Sequence, residues 1–187
     1  AVVGAERLAQ ISARSAQVLN RIKNSVSGVV RIGRKVDNVA QSQGAFSRAV
    51  SAIEELAENF KNKTVAADGD KTLSGWKGKQ NPRPSGYRDV SPEDVRDYSE
   101  LIGHELKNGG ANDQVARGGF RGKYYASHAE KQLAVARPNE PIGVSRPMCA
   151  DCQRFFSRLA RYQERPQIVT DPDGTRIFYP DGTVSGP

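Results

Sequence analysis

The chain has 187 residues with 37% hydrophobic and 26% charged, room for one well-buried domain plus an accessory segment of ordinary globular composition. No run of about 18 apolar residues occurs, and no basic stretch followed by an apolar core opens the sequence, so neither a membrane-spanning helix nor a common secretory signal is expected within these residues. The net charge of +7 is uneven, with ten Lys/Arg against five Asp/Glu in residues 1–63 and eighteen against sixteen in residues 64–187, so overall basicity says little about a substrate.

Residues 1–63 carry a helical pattern and form the first expected segment, a packing or delivery element. Leu8, Ile11, Val18, Ile22, Val29, Ile32, Val36 and Val39 recur near heptad spacing, interrupted by Ser15 and Ser25 and weakened by Gly28 and Gly33. Two short helices or one long rod would satisfy that pattern. Phe46, Val50, Ile53, Leu56 and Phe60 follow at spacings of three and four, as in an amphipathic helix. Residues 64–90, rich in Gly, Pro, Asp, Asn and Lys, read as a loop-rich connection.

The domain that carries chemistry is expected over residues 91–187. Ser91-Pro-Glu-Asp opens a helix with a Ser cap, Pro at the first position and acids in the first turn. Val95, Tyr98, Leu101, Ile102 and Leu106 give it a buried face up to Gly109 and Gly110. A glycine-rich stretch then leads to Tyr124 and Tyr125, a helix starts near His128, and a short strand runs from Pro141 to Arg146. A second helix starts at Cys149. Gln167–Thr170 and Arg176–Pro180 read as strands joined at Asp-Pro-Asp-Gly. This alternation predicts an α/β layer fold with helices packed on a sheet.

His128 and Glu130 stand two apart, and Cys149 and Cys152 three apart. One imidazole and two thiolates make a zinc ligand set that leaves a fourth position for water, and His-x-Glu followed by Cys-x-x-Cys is the pattern of zinc deaminases, with the glutamate as proton shuttle. If each motif opens a helix, the helix N-termini favour thiolates and the ligands converge. One zinc ion held by His128, Cys149 and Cys152 would lower the pKa of its water, and Glu130 would carry the proton. The bland alternatives are a structural metal site and a redox pair. No second Cys pair completes a zinc ribbon, and a redox motif gives no role to His128 and Glu130. Arg154, Arg158, Arg161 and Arg165 recur as a basic stripe on the cysteine helix, suited to a phosphate backbone or to plain solvation. Phe120, Tyr124 and Tyr125 could stack on a flipped base or belong to the core, and Trp76 could do either.

The run His-Ala-Glu-Lys-Gln-Leu-Ala-Val-Ala, followed by Met-Cys-Ala-Asp-Cys-Gln-Arg-Phe-Phe, resembles the nucleic-acid deaminases of the cytidine deaminase-like superfamily. It looks closest to the DYW-like branch, in which H-x-E-K and C-x-D-C open successive helices. The resemblance implies a central mixed sheet flanked by helices, preceded here by the N-terminal helical segment. It also implies one catalytic zinc. Beside the four motif residues, Ala129, Tyr124, Tyr125, Arg154 and Arg158 are the candidate substrate contacts. Plant members have a second zinc site and a terminal tripeptide, neither of which this sequence has. Similar bacterial domains are C-terminal tips of secreted polymorphic toxins delivered into target cells, each with a cognate immunity protein. A chain that begins at Ala1, with Met148 its only methionine, fits a piece of such a protein. The expected activity is conversion of cytosine to uracil by a monomeric catalytic domain, with single-stranded DNA the favoured substrate and duplex DNA or RNA the alternatives. The alternatives are a deaminase of free cytidine-type compounds and a non-enzymatic module with a structural zinc.

Overall fold

A computed structural model describes residues 33–78 and 82–187. The heptad-like pattern from Leu8 to Ile32 lies outside the described residues. Helix α1 (Gly33–Glu54) is followed by a single 3-10 turn at Glu58–Phe60, then by strands β1 (Val65–Ala67) and β2 (Lys71–Leu73). After α2 (Pro92–Leu101) come two short 3-10 turns, the one-turn helix α3 (Lys123–Ala126) and α4 (Ala129–Ala136). Strand β3 (Ile142–Val144), α5 (Ala150–Tyr162), β4 (Gln167–Asp171), β5 (Gly174–Phe178) and β6 (Val184–Ser185) complete the order.

The six strands form one mixed sheet in the order β2-β1-β3-β4-β5-β6. Only β3 and β4 run parallel, and α5 is the crossover between them; the remaining neighbours are antiparallel. This is the expected mixed sheet flanked by helices. Every residue of β1, β3 and β4 is buried, which requires cover on both faces. Helix α1 lies across β1, β3 and β4, while α4 packs on β1, β2 and β3 and α5 on β4 and β5.

Helix α1 meets the sheet through small residues. Ser42, Ala45, Ala49 and Ala52 are buried, whereas Phe46, Val50 and Ile53, expected as its apolar stripe, are only half-buried. The reason is Gly143 in β3: a Cβ there would collide with the backbone of Ala45 and Phe46, so helix and strand touch backbone to backbone. Ser42 ties the contact by donating from its hydroxyl to the Ile142 carbonyl at 2.8 Å.

Three local expectations need correction. Residues 65–73, in the stretch expected to be loop-rich, form the β1/β2 hairpin around Asp68-Gly69-Asp70. Helix α2 starts as expected, with the Ser91 hydroxyl accepting from the Asp94 amide at 3.1 Å, but ends at Leu101 and not near Gly109. Gly103 adopts φ 68° and the His104 amide closes back on the Ser99 carbonyl, a C-terminal turn that glycine accommodates freely. Arg165 falls outside the basic stripe, because α5 stops at Tyr162 and the Arg165 guanidinium donates to the Asn139 carbonyl.

Candidate active site

His128 and Cys149 occupy equivalent places, each the extended residue that immediately precedes a helix, α4 and α5 respectively. Cys152 sits in the first turn of α5, fully buried. The two helix starts converge so that His128 Nδ1 lies 3.2 Å from Cys152 Sγ and 3.5 Å from Cys149 Sγ. Their three potential ligand atoms lie within 4.8 Å of one another, a group that could hold a metal ion. One nitrogen and two sulfurs at this separation fit zinc.

The electrostatics match a donor set that shares protons. Hydrogen bonding from Cys152 pulls the Cys149 thiol down to about 3, against the cost of burial and with His128 adding to the effect. Burial pushes the Cys152 thiol well up. At His128, burial opposes the charged form, yet the Cys149 sulfur and the Glu130 carboxylate raise its affinity for a proton on balance.

Glu130, in the first turn of α4, is only 3% exposed and lines the same cleft as His128 and Cys149. The cleft has a volume of about 460 Å³. Its walls come from the loop after β2, which supplies Ser74 and Trp76, from the α3 segment with Tyr124, and from Lys63 and Arg146. The ring of Tyr124 meets that of His128 edge-on at 5.2 Å, and the Tyr125 ring is tilted against His128 at 5.3 Å.

Of the other predicted contacts, Tyr124 and Trp76 line the cleft, while Tyr125 stands beside His128. Tyr124 and Tyr125 lie on α3 and not near a strand, and Tyr124 is exposed. Ala129 is fully buried and offers only its carbonyl, which accepts from the Thr72 hydroxyl at 2.7 Å. Phe120 packs with Val90, Val95 and Ala126 under the Arg96 guanidinium, away from the cleft. Arg154 and Arg158 are exposed on α5 and face a different groove, not this cleft.

Sequence reasoning missed the residues that hold the two motifs together. Lys131, next to Glu130, is 0% exposed; its ammonium is paired with the buried Asp151 carboxylate between the two cysteines and donates to the Tyr125 carbonyl at 3.1 Å. Burial works against the charge on Asp151, but His104 and Lys131 hold its carboxyl well below the usual carboxylate range. The same carboxylate accepts from the Lys107 amide at 3.1 Å. A second set fixes the Trp76 loop: the Gln132 amide donates to the carbonyls of Gly75 and Ser127, and Arg83 donates to Leu73, Gly75 and Gln132. Asp171 accepts from the Met148 amide at 2.8 Å and pairs with Arg176 at 2.6 Å, setting the residue before Cys149. Each of these residues bridges elements far apart in sequence, so no local pattern announces it.

Residues 71–134 match the family model described as single-strand DNA deaminase toxin A, C-terminal. The span runs from β2 into α4 and includes His128 and Glu130, but ends before the two cysteines. It speaks to nucleic-acid deaminase toxins as a group and not to the DYW-like branch. No curated protein matched the chain. Over residues 71–134 the chain is therefore similar to the C-terminal domain of a nucleic-acid deaminase toxin.

Proposed function

We propose that this domain converts cytosine to uracil in single-stranded DNA with one zinc ion held by His128, Cys149 and Cys152, and that it acts as a toxin inside a target cell. The observation that carries this reading is the meeting of those three side chains at the wall of one cleft, which His128 and Cys149 line together with the buried Glu130. The matched family is described by single-stranded DNA, and the aromatic walls of the cleft, Tyr124 and Trp76, suit an extruded base.

When bound, the ion would supply a water activated as a nucleophile at neutral pH. Glu130 would take one proton from that water and deliver it to the ring nitrogen, then take the second from the hydroxyl of the adduct and deliver it to the departing amine. The water oxygen bonds to the carbon bearing the exocyclic amine, the carbon–nitrogen bond breaks, and cytosine plus water yields uracil plus ammonia. Tyr124 and Trp76 stack on the base, and Lys63 and Arg146 at the cleft wall attract its phosphate. Tyr125 acts indirectly by orienting His128, and Ala129 by its carbonyl. A cognate immunity protein in the producing cell and delivery as part of a larger secreted protein complete the proposal.

The test is incubation of the protein with single-stranded DNA, duplex DNA, RNA and free deoxycytidine, followed by base analysis. Uracil should form fastest in the single strand, stop on chelation and return with zinc. Release of ammonia from the free nucleoside alone would instead support the nucleoside deaminase.

A further inference from the structure

A second groove of about 810 Å³ lies along the exposed side of α5. Five cations line it, Lys107, Arg121, Arg154, Arg158 and Arg161, with Glu105 the one carboxylate on its wall. Among the described residues, Arg154 alone of the five has a carboxylate partner, Asp151 at 3.2 Å. Arg121 and Arg161 act on the carboxylates of Asp113 and Asp181 without a direct ion pair, so the concave surface keeps an excess of positive charge, an arrangement that favours a polyanion.

The groove adjoins the active cleft. The Lys107 ammonium sits over the Tyr125 ring at 5.6 Å, and that ring lies 5.3 Å from the ring of His128. One aromatic side chain therefore separates the groove from the metal ligands. Along α5, Arg154, Arg158 and Arg161 recur at spacings of four and three and span roughly 10 Å. The three side chains thus form a line long enough to meet successive phosphates of one strand.

We propose that this groove holds the sugar–phosphate backbone flanking the target nucleotide, so that the strand crosses Tyr125 with its base turned into the cleft. The assignment rests on the polynucleotide deaminase reading above. It distinguishes the enzyme from a nucleoside deaminase, because a free nucleoside has nothing to place there.

The test uses the full chain with Arg121→Ser, Arg158→Ser and Arg161→Ser combined, and a matching triple Arg→Lys variant. Binding of a labelled single strand of about twenty nucleotides is followed by fluorescence anisotropy across a salt series. The serine variant should bind on the order of tenfold or more weakly, regardless of base sequence, and the slope of log affinity against log salt should shrink by about two. The lysine variant should restore most of both. With substrate, the loss should appear chiefly in KM and grow with strand length. Unchanged affinity and salt slope in the serine variant, with uracil still formed, would overturn the groove alone. Loss of strand binding without any uracil from the parent chain would uphold the groove and refute the deaminase reading. Intact strand binding with lost affinity for polyglutamate would overturn the groove in favour of an acidic protein partner.

Discussion

At the centre of the site, two buried charges of opposite sign sit side by side, Lys131 and Asp151, each adjacent in sequence to a residue of the motif pairs. Removing one partner of such a pair leaves the other buried without compensation, which costs about 3–5 kcal/mol. Lys131→Met should therefore lower unfolding free energy by that amount in a urea titration. Adding Asp151→Leu should recover more than half of the loss, because the remaining pair of apolar side chains fills the space without an orphaned charge. Equal stability of the single and double variants would contradict the pairing. The motif residues were legible because their signature is local: one residue between donor and shuttle, two between thiols. Lys131 and Asp151 stand 20 residues apart, and Arg83 and Gln132 stand 49 apart, so nothing short of the fold announces that they meet.

The elements divide in the same way. Helix starts were legible at Ser91, His128 and Cys149, since caps and first turns are written in adjacent residues. The β1/β2 hairpin was hidden because its strands are three residues long and take their order from partners elsewhere, with Val65 bonded in both directions to Ser145. Helix α1 shows the same limit, for its sheet-facing side is chosen by Gly143 and not by its largest apolar residues. Gly143→Ala should lower stability by about 1–3 kcal/mol, read as a fall in Tm, whereas Gly78→Ala, with open space around it, should leave Tm nearly unchanged.

The loop between α2 and α3 hangs on Asp113, whose carboxylate accepts from the amides of Gly109, Gly122 and Tyr124 at 2.7–2.9 Å. Burial opposes its charge, but these amides, with Arg121, hold its carboxyl below the ordinary value. A carboxylate bound more weakly to its proton when folded stabilises the fold above its unfolded pKa of about 4, and this contribution is lost as pH falls further, through the folded value. Asp113→Asn should therefore cost about 2 kcal/mol at pH 7. The difference from the parent should shrink as the pH is lowered from about 4, and a difference constant down to the acid limit would contradict the assignment.

Over the whole molecule, the layered α/β architecture followed from strand and helix alternation, and the mixed sheet from the family resemblance. Net charge said little about a substrate, since most of the excess lies in residues 1–63. What matters for a polyanion is local: five cations gathered on one groove beside the cleft, from three segments that only the fold assembles. The central claim, that Glu130 performs proton transfer in a cytosine deaminase, is tested most directly in cells that cannot excise uracil. Expression of the parent chain and of Glu130→Gln at equal levels, followed by genome sequencing, should show cytosine-to-thymine transitions accumulating with the parent and at background level with the variant. Equal mutation in the two, or none with a parent chain that still kills, would contradict it.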